Sequence, residues 1–239
     1  AVSIMGYLAA VTERVEIASG ILPLYTRTPT LLAMTAAGVD ALSDGRCILG
    51  LGASGPQVSE GVHGVPYTQP LTRTREIIDI CRQVWARERV TYDGKAYTLP
   101  LPPDQGTGLG KPLKLITRPV RDRIPVYVAA LGPKNVRMTA EIADGWLPLY
   151  YSPYRQEVYA EQLAGTKEGF EVTAMATLVV TDDIEAGLAP VKAMLGFYIG
   201  GMGAKGQNYH TKLMQRMGFE AEALKIQELF FAGKREEAI

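Results

Sequence analysis

Histidine and cysteine are scarce in this sequence, with two of each among 239 residues: His63, His210, Cys47 and Cys81. None stands at metal-ligand spacing from another, so a metal site is not expected. The cysteines lie far apart in apolar contexts with no pairing pattern, and they read as reduced core thiols of a cytoplasmic protein. Net charge is also lacking. Lysine plus arginine is 25 and aspartate plus glutamate is 25. That balance argues against a nucleic-acid binder working through bulk positive charge, and it leaves little to hold the chain on an anionic membrane. No apolar run reaches the roughly 18 residues of a membrane span. The apolar N-terminal stretch has neither a basic region before it nor a cleavage signature, so it does not read as a signal peptide. A G-x-S-x-G elbow is missing, which leaves an α/β-hydrolase without support.

Five short apolar runs are present, at 15–21, 46–52, 126–131, 146–150 and 173–180. They lack clean alternation, as strands covered on both faces do. Helical patterns fall at 29–42, 72–85, 133–143, 184–195 and 220–232. Strands alternating with helices predict a parallel sheet in an α/β fold. With no repeat and no linker, the chain reads as one domain over 1–239, carrying a Gly- and Pro-rich insertion around 92–125. Tyr92-Asp93-Gly94-Lys95 reads as a hairpin turn. Five strands do not close an eight-stranded barrel, so the reading is either an open doubly wound sheet or a barrel lacking its end units.

Glycine is 25 of 239, above the usual share of about 7%. The informative part follows the strands: Gly20, Gly50, Gly52, Gly55 and Gly132. In parallel α/β folds ligands bind beyond the carboxyl ends of the strands. Small residues there let a flat ring or a phosphate come close to the backbone. A helix beginning at Pro133 points free N–H groups at an anion, with Lys134 and Asn135 beside it. Gly50-Leu51-Gly52 lacks the rest of the dinucleotide fingerprint, so no Rossmann site is read there.

Seven strings occur in order over about residues 5–150: Ala9-Ala10-Val11-Thr12-Glu13-Arg14-Val15, Ser19-Gly20-Ile21-Leu22-Pro23, Tyr25-Thr26-Arg27-Thr28-Pro29, Leu42-Ser43-Asp44-Gly45-Arg46, Leu49-Gly50-Leu51-Gly52-Ala53-Ser54-Gly55-Pro56, Gly64-Val65-Pro66-Tyr67 and Ala143-Asp144-Gly145-Trp146. As an ordered set they resemble the luciferase-like monooxygenase superfamily, on its deazaflavin (coenzyme F420) branch. The resemblance implies a (β/α)8 TIM barrel forming a homodimer, with the coenzyme ring at the carboxyl end of the strands. By this match the first strand here is the third of the barrel, so the first two βα units and the last strand are expected to be absent.

The resemblance also assigns roles. Gly20-Ile21 matches a bulge where a non-proline cis peptide presses a side chain against the ring. Thr26 and Arg27 match a loop facing the coenzyme's anionic tail. Ala53, Ser54 and Gly55 match the next strand-end loop, and Ala129, Ala130, Leu131 and Gly132 match the loop that cradles phosphate. Glu60 and His63 are the acid and imidazole nearest this site, suited to proton transfer. The implied activity is hydride transfer between coenzyme F420 and a small-molecule substrate. FMN with monooxygenase chemistry is the alternative cofactor, and a non-catalytic truncated paralogue the alternative class. The run 197–204, rich in glycine, reads as a substrate-side flap or a helix end. His210 lies in a polar tract with a weaker claim to chemistry.

Overall fold

Helices and strands alternate from the first residues onward in the computed structural model, which describes residues 1–239. The elements are α1 (Val2–Val11), β1 (Ile17–Ala18), β2 (Leu22–Pro23), α2 (Pro29–Leu42), β3 (Cys47–Gly52), α3 (Pro56–Ser59), α4 (Pro70–Trp85), β4 (Tyr92–Asp93), β5 (Thr98–Leu99), β6 (Val126–Ala129), α5 (Pro133–Ile142), β7 (Gly145–Leu147), α6 (Ala160–Leu163), β8 (Glu171–Val172), α7 (Ile184–Gly201), α8 (Tyr209–Arg216) and α9 (Glu220–Phe231). Two compact units divide the chain. The first holds Ala1–Ala130, Met138–Leu147 and Gly165–Thr173, and the second holds Leu131–Arg137, Pro148–Ala164 and Ala174–Ile239.

The first unit is built on a parallel sheet in the order β1-β3-β6-β7-β8, with β2 also on β3. All six residues of β3 are buried, which is why that run shows no polar alternation. Helix α2 has the bounds its signals predict: Pro29 takes the first turn, and the Thr28 hydroxyl accepts from the Leu31 N–H at 3.3 Å, a side-chain cap. Helix α4 buries Ile77, Ile78, Cys81, Val84 and Trp85. The Trp85 indole N–H donates to the Ala33 carbonyl at 3.0 Å and locks α4 on α2. In the 92–125 segment β4 and β5 form an antiparallel hairpin. Glu76, buried in α4, caps it by accepting from the N–H groups of Lys95, Ala96 and Tyr97 at 2.7–3.0 Å.

Several residues of the ordered strings prove to be fasteners at the amino ends of the strands. The Arg46 guanidinium donates five hydrogen bonds, to the carbonyls of Ala9, Thr12, Val15 and Ser43 and to the Thr12 hydroxyl. It ties the end of α1 to the start of β3. Asp144 accepts from Arg123, Lys167 and the Val126 N–H. Burial raises its pKa, but these hydrogen bonds outweigh burial and hold the carboxyl below its usual range. A shallow hollow beside it, between Asp79, Arg82, Asp122 and Arg123, presents guanidinium groups that Asp144 already occupies.

Two strands differ from their expected spans. The run 15–21 is split: β1 and β2 both pair with β3, but Ser19, Gly20 and Ile21 face only Leu49 and Gly50 between the paired registers. One extra residue makes a bulge. The run 173–180 is not a strand. Pairing with β7 ends at Val172, apart from one bond from the Thr173 N–H to the Trp146 carbonyl. Pro148 follows β7 and has no N–H to extend the ladder, and Met175, Leu178 and Val180 are exposed. The same proline shortens the expected strand 146–150 to Gly145–Leu147.

In the second unit, α7, α8 and α9 pack on one another. The run 197–204 is not a hinged flap. It ends α7, where a Cβ added at Gly200 or Gly201 would meet the Phe230 ring at 2.7 or 2.5 Å. Those glycines are small because a helix passes close by. No helix is long and apolar enough to cross a membrane.

Candidate coenzyme site

One row of residues crosses the carboxyl end of the sheet. Pro23 of β2 is level with Gly52 of β3, Gly52 with Ala129 of β6, and Ala129 with Leu147 of β7. The loops that carry the predicted site residues therefore start at one edge. Gly50 and Gly52 are required here for reasons internal to the protein. Ser19 and Gly50 exchange hydrogen bonds, the Ser19 hydroxyl donating to the Gly50 carbonyl at 2.8 Å and accepting its N–H at 2.9 Å. A Cβ on Gly50 would fall 1.7 Å from the Ser19 carbonyl oxygen. A Cβ on Gly52 would fall 2.2 Å from the Ile21 Cδ1. So Ile21 is seated by Gly52, and the Gly20–Ile21 peptide is cis. Gly20 itself faces open space, and a Cβ added there would meet nothing within 4 Å.

Thr26 and Arg27 follow β2 in a short 3-10 turn. The Thr26 hydroxyl donates to the Pro23 carbonyl at 3.2 Å and accepts from Arg27 at 2.9 Å. Arg27 has no carboxylate partner, so its guanidinium keeps bidentate capacity for an anion. Past β3, Ala53 is partly exposed and Ser54 is exposed. Ser54 has a φ of +58°, a left-handed conformation uncommon for a residue with a side chain. Gly55 caps α3, accepting from the Val58 and Ser59 N–H groups.

Glu60 and His63 lie in the exposed stretch after α3. Glu60 accepts from the Tyr67 N–H at 3.0 Å, which gives its carboxylate a loop-closing contact. The Tyr67 hydroxyl reaches the Ser54 carbonyl at 3.4 Å. Sequence reasoning missed this bracket. Tyr67 packs on Tyr25 at 5.0 Å between centroids, and the Arg73 guanidinium lies over both Tyr25 and Tyr97. Burial, then the neighbouring Tyr67, push the Tyr25 phenol up to about 12. A charged residue on a helix, with aromatic residues at scattered spacing, leaves no motif to find.

Past β6, Ala129 is partly exposed and Ala130 is buried, with its carbonyl accepting from the Trp146 indole at 2.9 Å. Leu131 and Gly132 belong to the second unit. There the Leu131 carbonyl accepts from Arg216 at 2.8 Å. Gly132 opens α5, its carbonyl accepting from the Asn135 and Val136 N–H groups. Only a ring carbon of Tyr209, at 4.0 Å, approaches a Cβ there. No cluster of three or more His, Cys, Asp and Glu side chains is arranged to hold a metal. The first unit thus carries Gly20, Ile21, Thr26, Arg27, Ala53, Ser54, Gly55 and Ala129 at or just past one edge of its sheet, and Arg27 has no carboxylate partner.

Comparison with known proteins agrees with this architecture. The chain is 48% identical over 237 residues to Rv3520c of Mycobacterium tuberculosis, a protein named as a coenzyme F420-dependent oxidoreductase, covering 95% of this chain and 68% of the relative. It is 29% identical over 207 residues to the 5,10-methylenetetrahydromethanopterin reductase of Archaeoglobus fulgidus, covering 83% of this chain and 58% of that protein. Among solved structures it superposes on the coenzyme F420-dependent tetrahydromethanopterin reductase of Methanopyrus kandleri with a TM-score of 0.76 at 22% identity, covering 99% of this chain and 70% of the other. That likeness places the parallel sheet as part of a TIM-barrel-type fold. The luciferase-like monooxygenase family model matches residues 1–239, and the chain belongs to that family.

Proposed function

We propose that this protein is an oxidoreductase that binds coenzyme F420 at the carboxyl edge of the sheet and moves a hydride between it and a small organic molecule. The observation that carries the reading is Arg27. It is a partly buried guanidinium without a carboxylate partner, beside a row of small residues at the end of a parallel sheet where ligands bind. Similarity to F420-dependent proteins supports the same cofactor.

The residues present suit such a group. Arg27, oriented by the Thr26 hydroxyl that accepts from it, holds an anionic tail by charge-assisted hydrogen bonds. Ile21, seated on Gly52, gives an apolar surface for one face of a flat ring, and Gly20 leaves room beside it. Ala53, Ser54, Gly55, Ala129 and Ala130 bring backbone close to the ligand without bulky side chains. A bound deazaflavin supplies two-electron hydride chemistry that the side chains cannot. His63, exposed on the neighbouring loop, and Glu60 handle the proton.

The test is a fluorescence titration with oxidised F420 beside FMN. Saturable F420 binding is expected, with Arg27→Met weakening it roughly tenfold or more, the loss of one charged hydrogen-bonding partner. FMN binding with none for F420 would move the protein to the monooxygenase reading. Binding of neither would remove the site.

The partner we propose is a second copy of this chain. Helix α1 carries no charged residue, and the only charge on α2, Asp40, is buried. These two helices pack together and expose Ile4, Tyr7, Val11, Leu31, Met34 and Leu42, apolar side chains of the kind that mark an interface. Light scattering is expected to report a dimer for the native sequence and a monomer for Tyr7→Glu/Met34→Glu. Helix content stays unchanged, since both side chains are more than half exposed. A monomeric native protein would overturn the assignment.

A further inference from the structure

Tyr150, Tyr198 and His210 form a cluster inside the second unit. Their ring centroids are 5.8, 6.1 and 5.0 Å apart, and all three pairs meet edge to face. The backbone around them is held in place by a buried amide. Asn208, 1% exposed, donates to the Tyr198 and Ile199 carbonyls at the end of α7. Its side-chain oxygen accepts from the His210 and Thr211 N–H groups at the start of α8. Gly203 allows this, since a Cβ there would meet the Asn208 Cα at 2.8 Å. Tyr150, the third residue past β7, is held at a φ of +59°. A bulky side chain in that region costs energy and is found where the surroundings enforce it, often at functional positions.

Two polar atoms in the cluster are buried without a hydrogen-bond partner: the Tyr150 hydroxyl and the His210 Nδ1. Buried polar atoms are rarely left so. Burial, then Tyr198, push the Tyr150 phenol up to about 12. Burial alone pulls the His210 imidazole down to about 4. At neutral pH both groups are uncharged. The phenol both donates and accepts, and a neutral imidazole offers one nitrogen of each kind. No charged group contributes to either shift, so the pair itself offers hydrogen bonds and no charge to a ligand.

We propose that Tyr150 and His210 are a recognition pair for the oxygen of an uncharged carbonyl or alcohol, with Tyr198 as the aromatic wall beside it. This site stands within the second unit and does not depend on coenzyme binding.

The chain has only two imidazoles, so nitrogen NMR on the whole protein at pH 7 reads the site directly, with His63→Gln assigning the signals. Cyclohexanone and cyclohexanol are the probes, and propionate is the anionic control. We expect a saturable shift of the His210 nitrogens with either neutral probe, none at His63, and none with propionate. Tyr150→Phe should weaken binding about tenfold, as loss of a buried hydrogen bond does, while an unchanged circular dichroism spectrum shows that the fold persists. No saturable shift in the unsubstituted protein overturns the proposal, whatever the variant does. So does an equal response to propionate, or a crystal soak in which only water lies between Tyr150 and His210. F420 binding measured alongside keeps the two readings separate: either can fail while the other holds.

Discussion

Gly50→Ala is expected to yield no stably folded protein, whereas Gly52→Ala, two residues along the same strand, is expected to fold. Both glycines are buried in β3; Gly50 lies opposite the β1–β2 bulge, and Gly52 is paired with Pro23 just past it. What each would strike differs. At Gly50 the new carbon falls on the Ser19 carbonyl oxygen at 1.7 Å and its carbonyl carbon at 2.8 Å. Those are backbone atoms, and Ser19 is pinned by the two hydrogen bonds it exchanges with Gly50 itself. Relief requires separating β1 from β3, which breaks the ladder and orphans a buried hydroxyl. Costs above about 4 kcal/mol come from a short list of such causes. At Gly52 the clash is with the end of the Ile21 side chain, which can turn, so about 1–3 kcal/mol is expected, as for ordinary overpacking. On the proposed coenzyme reading, the repacked Ile21 would also weaken F420 binding. Circular dichroism and size-exclusion chromatography check the first part. A Gly50→Ala protein melting within a few degrees of the native one would sink the argument.

Arg121→Met is expected to cost about 3–5 kcal/mol, the usual loss when one partner of a buried ion pair is removed. Asp40, on α2, has no exposure. Its carboxylate accepts from the Cys47 N–H at 3.2 Å and from two nitrogens of Arg121, while the same guanidinium donates to the Cys47 carbonyl at 2.7 Å. Without Arg121 a carboxylate stays in the core with one hydrogen bond. For a chain of this size the melting temperature should fall by roughly 6–20 °C. Asp40→Asn/Arg121→Met should recover part of that, because the uncompensated charge has gone. A fall under about 2 °C for the single variant, or a double variant worse than the sum of its parts, would show that the pair contributes little.

Much of this molecule was legible in its sequence. Helix α2 has its predicted bounds because a proline, a threonine cap and a turn signal are local devices. Strand β3 was readable because full burial leaves a continuous apolar run. Other features resisted for identifiable reasons. The apolar run 173–180 is exposed because its neighbour ends in a proline, a fact about β7 and not about the run. The glycines at 200 and 201 suggested hinges, but they make room for Phe230, a contact across two helices. Arg46 sat in a string that carried only the family resemblance, and the structure shows that it ties α1 to β3. Tyr150 and His210 are sixty positions apart in sequence, with no spacing to connect them.

The sequence by itself determined the periodicity of the helices, the parallel α/β class, the small residues at the strand ends and, through its ordered strings, the family. Each depends on neighbours in the chain, where propensity, capping and steric permission act. Only the tertiary structure decided that three residues of the first apolar run face two of β3, and which charges fasten the amino ends of the strands. It also decided that Arg27, in the loop past β2, has no carboxylate partner. Those outcomes depend on which distant groups meet, because buried hydrogen bonds and ion pairs must be satisfied by whatever packing brings within reach.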